Sequence, residues 1–360
     1  MATPVDLVRR LLVRAGLDGH TVVPRATVLA GLRGLGVGTP EAAVEEAVRA
    51  GEAIADEAGL GLAPIAGVER AVAQAVTRLV ESVPPRLHLV AGPRGPARDA
   101  ALAALSTTAP APTRVVADAE LVGLRDWADL LAEVSASPDG RLVAAGDPAA
   151  LPRGGRPAAG AVLADLVACG AVPVTTVGRD LPDQPTALGR LDAGLRSGSL
   201  PPVDPADHDV VVVPVDGPDA TRRRVDQLVR VSIPRVYDVT GPDGIAVLTV
   251  RQRGPSGAHA LTDLCAGRAD CRCVTRTAGR RWPAVVLVLP AEAAGSVTVP
   301  LLLTAVGAAA RHVSVITGLD DQLRRVVAAG TPPPPRTRLV SLLRRSDQAL
   351  TDPAVMPPTM

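Results

Sequence analysis

The chain has 360 residues, 47% of them hydrophobic and 21% charged, which excludes a disordered chain and is enough for about two or three globular domains. A formal net charge of +1, with 38 basic side chains against 37 acidic ones, excludes a global field that would draw the protein to nucleic acid or an anionic membrane. Four cysteines in a chain this long exclude a disulfide scaffold, and the complete lack of lysine excludes a lysine at a phosphate or in a Schiff base.

The first stretch, MATPVDLVRRLLVRAG, carries charges inside its apolar repeat and has no signal-peptide core, so it reads as an amphipathic helix of a cytoplasmic protein. Helical periodicity continues over 5–15, 25–35 and 40–51, with Thr39 and Pro40 as an N-cap and first-turn pair. Two short apolar runs about a glycine-rich turn, EAIADEAGLGLAPI, then predict a hairpin, so residues 1–68 suggest a small helical, winged-helix-like module.

After about Val68 the pattern changes to apolar runs at 86–90, 113–119, 141–147 and 172–177, alternating with helical segments at 97–107, 125–136, 159–169 and 184–197. Strands apolar on both faces and separated by helices imply a parallel sheet covered on both sides. A proline-rich stretch, LPPVDPADHD at 200–209, precedes a second run of the same kind. There DVVVVPV, IAVLTV, AVVLVLP and HVSVITG alternate with helices at 218–231, 257–266, 300–311 and 319–329. The most apolar region, 284–310, holds Glu292 as its one charge, but Pro290, Gly295 and Pro300 cut it into a buried strand and a buried helix, not a membrane span. The expected fold class is α/β, with lobes at 69–203 and 204–330, followed over 331–360 by a proline spacer, a short helix and a tail.

Ligands of open α/β sheets sit beyond the carboxyl ends of the strands. The loops at those ends are AGPRGPARD, ADAEL, GDPAALP, GRD and TGL. With their flanks they resemble the RecD-like family of superfamily 1 DNA helicases, ATPases with two RecA-like lobes that move along single-stranded DNA. The most specific match is GRLVAAGDPAALPRGGRPAAGAVLADLVACGAVPV at 140–174, which is similar to the family's third motif. AVLTVRQRGPSGAHAL at 246–261 resembles the fourth, and the segment 282–318 resembles the family's terminal UvrD-like part. GHTVVP at 19–24 and Glu69 resemble the region just ahead of the motor, so the likeness spans most of 15–345. The helix-hairpin-helix pair found upstream in the family has no counterpart here, and too few residues follow AGPRGPARD for the family's inserted duplex-splitting subdomain.

The resemblance implies the fold more fully than the chemistry. A phosphate-binding loop needs GxxxxGK(S/T), in which backbone N–H groups cradle the phosphates, the lysine reaches the β and γ phosphates and the hydroxyl holds Mg²⁺. With Gly92, Pro93 and Gly95 as anchors, the lysine and hydroxyl positions fall on Ala97 and Arg98, or on Arg98 and Asp99 after a one-residue slip. The family's Walker B pair falls on Ala117 and Asp118, the γ-phosphate glutamine on Ala150, a Gln and Glu on Ala278 and Arg281, and the arginine-finger pair on Gly307 and Ala308. Asp147 and Arg179 keep their places. AGPRGPARD therefore stands between a hydrolytic site, a site binding ATP and Mg²⁺ or another phosphate without turnover, and a structural turn; a helix N-terminus with two arginines favours anions, while Pro96 removes a donor.

Outside those loops, Arg251, Arg253, Arg280, Arg281 and Trp282 are candidates for single-stranded DNA, with Trp282 stacking on a base, or else a solvated face and a core tryptophan. His259, Cys265, Cys271 and Cys273 offer soft ligands at a spacing unlike the usual zinc knuckle, against a reading as helix and strand packing residues. His20, His88, His208 and His312 show no partner of nucleophile or base type. The loss of every motif that handles the phosphate points to a degenerate helicase homologue that binds DNA or a partner protein such as an intact helicase. The alternatives are a residual ATP-dependent helicase and a pure interaction scaffold.

Overall fold

The computed structural model describes residues 2–107, 113–151, 161–204, 207–277 and 279–344. The N-terminal module consists of α1 (Pro4–Leu17), α2 (Arg25–Gly34), α3 (Pro40–Arg49) and the antiparallel hairpin β1 (Ala53–Asp56) and β2 (Gly59–Leu62). Thr3 and Asp6 close a capping box at the start of α1, and Pro40 opens α3, but the Thr39 side chain makes no capping bond. The i, i+4 stripes of Val8 and Leu12 and of Val28 and Leu32 meet Val44 and Leu60 in a common core.

The first lobe follows with α4 (Ala63–Glu81), β3 (Leu87–Ala91), α5 (Pro96–Thr107), β4 (Thr113–Val116), α6 (Leu124–Ala136), β5 (Arg141–Gly146), α7 (Val162–Cys169) and β6 (Val174–Thr176). Its four strands are parallel in the order β4-β5-β3-β6. The strand leading to GDP therefore lies between the strand leading to the glycine loop and the strand leading to Asp118, and all three loops open at one edge.

The second lobe contains α8 (Ala187–Ser197), β7 (Val210–Pro214), α9 (Gly217–Gln227), a π turn into α10 (Ile233–Tyr237), α11 (Gly241–Gly244), β8 (Ile245–Thr249), α12 (Ala258–Cys265), β9 (Asp270–Cys273), β10 (Trp282–Leu289), α13 (Val299–Gly307), β11 (Ala309–Thr317) and α14 (Asp321–Ala328). Its five strands are parallel in the order β7-β11-β10-β8-β9. Along β10, Val285, Leu287 and Leu289 enter one core while Ala284, Val286 and Val288 enter the other, which is why the strand reads as a continuous apolar run. The α/β class with two parallel-sheet lobes is thus as expected. No helix among the described residues is long and apolar enough to cross a membrane.

Two details differ from the sequence expectation. The apolar face of α8, with Leu188, Leu191 and Leu195, joins the core of the second sheet, so the expected boundary after 203 follows a helix already packed on the second lobe. The helix expected over 300–311 ends at Gly307, because β11 begins at Ala309 and pairs with β10 from Trp282 onward.

The proline segment is a strap across the first lobe and the N-terminal module. Arg336 N–H donates to His20 Nδ1 at 2.9 Å, and the Thr337 hydroxyl donates to Asp165 Oδ2 at 2.7 Å. Arg338 is 3% exposed; it pairs with Asp56 at 2.6 Å and donates to the carbonyls of Thr21, Ile54 and Gly59. Its own N–H and the Thr21 hydroxyl both donate to Glu69 Oε1, so Glu69 is a buried joint between the module, α4 and the strap. Residues 339–344 are helical and place Leu339 and Leu343 in the first lobe's core; the tail expected beyond them lies outside the described residues.

Burial pushes the Asp165 carboxyl up from 3.8 to about 7, against the Thr337 bond and with a contribution from Glu69. A raised acid binds its proton in the folded chain where the unfolded chain has released it, so its stabilising effect is complete below about 4 and is lost as pH rises through about 7. Urea denaturation should show stability falling over that interval, and Asp165→Asn, which preserves an acceptor for Thr337, should flatten the slope by about one proton. A slope identical in the two proteins would refute this.

Candidate functional site

The glycine loop runs from the end of β3 to the start of α5 and is packed against the segment that follows β6. A Cβ on Gly92 would collide with the Val177 carbonyl, and one on Gly95 with the Arg179 carbonyl, so both positions admit only glycine without a backbone shift. The Gly92 N–H donates to Gly146 O at 2.9 Å, and the Ala97 N–H points to Arg179 O at 3.4 Å. Pro93 and Pro96 have no N–H. From Gly92 to Ala97 this leaves the amides of Arg94 and Gly95 for an anion, a much poorer cradle than a phosphate loop offers.

The loop's arginines are turned onto protein groups. Arg98, 3% exposed, donates to Gly92 O at 3.3 Å and pairs with Asp118 at 3.2 Å. Arg94 pairs with the same Asp118 oxygen and, through its other nitrogen, donates to the carbonyl of Gly279 in the second lobe. Asp118 is bracketed by two guanidinium groups whose charge disfavours a cation there. Asp99 is exposed; its charge and those of Arg94 and Arg98 are felt by Arg281, whose pKa burial lowers first and the two neighbouring arginines lower further.

Two side chains that sequence reasoning did not single out complete this edge. Glu120, in the short turn Ala119–Leu121 after β4, accepts from the Asp147 N–H at 3.3 Å. Burial pushes its carboxyl up to about 7, with Asp118 adding to the rise and Arg98 and Arg94 opposing it. Arg196 on α8 forms two bonds to Asp147, at 3.0 and 2.6 Å, and another to Asp192 at 2.7 Å. Both acids are buried, and their charges raise the Arg196 pKa against the cost of its burial. The acidic pair in ADAEL was the visible signal for Glu120; nothing local marks Arg196, which lies 49 residues from Asp147.

Arg179 makes the second crossing between the lobes. It is 4% exposed and donates to Val306 O at 3.3 Å and to Ala309 O, carbonyls that flank the end of α13. Burial pulls its pKa down to about 10, with Arg281 lowering it further. The Leu151 N–H adds a bond to Thr304 Oγ at 2.9 Å. The cleft that remains is lined by Arg94, Glu120, Asp147, Ala150, Gly279 and Gly307, among others, and has a volume of about 40 Å³. Space of that size holds a few waters, whereas small-molecule sites run to roughly 300–1,000 Å³.

The structure therefore brings Arg94, Arg98, Asp118, Asp147 and Arg179 to one interlobe edge, with Ala150, Gly307 and Ala308 on the same cleft. Ala278 and the glycine-containing loop at 153–160 lie outside the described residues. The DNA candidates are dispersed. Trp282 is fully buried, its indole N–H donates to Pro242 O at 3.0 Å, and Arg272 and Arg280 lie over its ring at 5.5 and 5.2 Å. That corrects its reading as a base-stacking residue, since its faces are already occupied. Arg280 is paired with Asp243 at 2.8 Å and Asp270 at 3.1 Å. Arg251 donates to Ser296 Oγ at 2.9 Å, and Arg253 is exposed.

The zinc alternative is likewise corrected: no group of three His, Cys, Asp or Glu among the described residues is placed to hold a metal ion. His259 points to solvent, Cys271 donates to Ala258 O at 3.4 Å beside Cys265 in the core, and Cys273 donates to Val250 O at 3.2 Å. His312 does have a partner, Ser314, at 2.7 Å, with the His208 carbonyl 2.8 Å from its other nitrogen. That carbonyl only accepts, so the ring donates from Nδ1 and accepts from the serine, in a contact buried within β11.

No protein-family model matches the chain, and no curated protein matches it. Among solved structures, the helicase nonstructural protein 10 of an Arterivirus in complex with DNA is similar at 16% identity and a TM-score of 0.36, covering 76% of this chain and 73% of that one. A second structure of the Arterivirus helicase has 15% identity and a TM-score of 0.34, with 75% and 71% covered.

Gly95→Ala should cost about 1–3 kcal/mol in a denaturation experiment, because the methyl group and the Arg179 carbonyl cannot share the space. Unchanged stability would mean that the loop is free to move away from the segment after β6.

Proposed function

We propose that the chain is a superfamily 1 helicase-like protein of RecD-like descent whose nucleotide cleft has become a permanent joint, and that it acts in DNA metabolism by binding rather than by hydrolysing ATP. The observation that carries this reading is the double use of Arg94: it neutralises Asp118 and reaches Gly279 of the opposite lobe, where a hydrolytic site needs space, a metal and phosphates. Arg98 adds a second cation at the same acid, and Arg179 closes the cleft further along. The substituted lysine and arginine-finger positions agree with it, since the first falls on Ala97 or on Arg98, which is taken up by Asp118, and the second on the uncharged Gly307 and Ala308.

Binding to single-stranded DNA rests on the exposed guanidinium groups of Arg251 and Arg253, in the segment resembling the family's fourth motif. A partner protein, such as an intact helicase, is the second ligand class, because a closed two-lobed body offers a rigid surface without needing turnover. Neither role requires ATP or Mg²⁺.

Titration with a fluorescent ATP analogue, with and without Mg²⁺ and single-stranded DNA, tests the reading. The expected result is no saturation below about millimolar nucleotide together with DNA binding that weakens as salt rises. Mg²⁺-dependent binding in the micromolar range, or hydrolysis stimulated by DNA, would contradict it.

A further inference from the structure

The second lobe holds a cavity of about 630 Å³ that shares no lining residue with the interlobe cleft. It lies between helices α8, α13 and α14 and one face of the sheet. Leu191 and Leu195, Leu302 and Val306, and Leu287 and Val315, core residues at most 9% exposed, supply its apolar floor, and Pro202, Val203, Val212 and Pro214 its exposed apolar sides. The space is open to solvent on one side and no side chain of the described residues fills it. Water gains few hydrogen bonds in such a space, whereas an apolar molecule gains contacts along every wall. Val212 and Val203, 42% and 40% exposed, mark its open side.

Polar groups converge at the rim. Asp320, Asp321 and Arg324 line it, and among the described residues no hydrogen bond or ion pair engages their charged groups. Asp320 has φ 43° and ψ −124°, a backbone conformation costly for a residue with a Cβ, yet its carboxylate does not cap α14. Asp320, Asp321 and Arg324 are all exposed at the mouth of the cavity.

We propose that this cavity binds a small apolar molecule carrying one amine, its body between α8, α13 and the sheet and its ammonium against Asp320 and Asp321. Two carboxylates against one guanidinium give the rim a negative balance, which selects a cationic head over an anionic one. The volume falls in the range of small-molecule sites and the lining has their usual character, apolar walls with a few placed polar groups.

The neutral fluorescent probe N-phenyl-1-naphthylamine tests the cavity, and its displacement by decylamine, decanol and decanoate tests the head group. Saturable binding of one probe is expected, with decylamine displacing it at about tenfold lower concentration than decanol or decanoate. Asp320→Ala with Asp321→Ala should abolish that preference and leave probe binding intact. Leu302→Trp, or the milder Leu195→Phe if the first variant does not fold, should fill the space and weaken the probe by about tenfold or more. Absence of saturable binding, or equal binding by a folded filled variant, overturns the site. Displacement led by decanoate or decanol overturns the cationic ligand.

Discussion

Asp118 is held between Arg94 and Arg98, and the arrangement of the interlobe edge depends on that contact. This carboxylate lies just beyond the edge strand β4 and faces the glycine loop. Here its charge is met by two guanidinium groups, one of which is also bonded to the other lobe. Removing either arginine leaves Asp118 paired with the other, so opening the contact takes the loss of both.

The other crossings likewise join the two lobes through protein groups. Arg179 satisfies carbonyls at the end of α13, and Arg196, carried by a helix that packs on the second lobe, grips Asp147 of the first. Each bond spans the cleft between the lobes, and together they leave room for little more than water. Glu120 completes the picture as a carboxyl whose burial brings its pKa to about 7, near an acid that is already neutralised.

Much of the architecture was legible because parallel strands buried on both faces must be apolar throughout, as IAVLTV and AVVLVLP are. The positions facing the cleft were legible through the loops that end those strands, and the structure does gather Arg98, Asp118, Asp147 and Ala150 there. What those residues do was not legible. The grip of Arg196 on Asp147 joins residues distant in sequence, and the burial of Glu120 depends on β5 lying beside β4. Trp282 looked available because it follows two arginines; a polar flank does not reveal that a helix carbonyl already holds the indole N–H. The start of β11 directly after α13 was missed because AAARHV has helix propensity, overridden by pairing with β10.

Closure without nucleotide is the central claim, and pulsed dipolar spectroscopy between spin labels on the exposed positions 103 of the first lobe and 219 of the second measures it most directly. A single narrow distance distribution is predicted for the protein, unchanged by Mg²⁺ and an ATP analogue and broadened in Arg94→Ala/Arg179→Ala. A distribution that shifts on adding nucleotide to the unmodified protein would contradict the account.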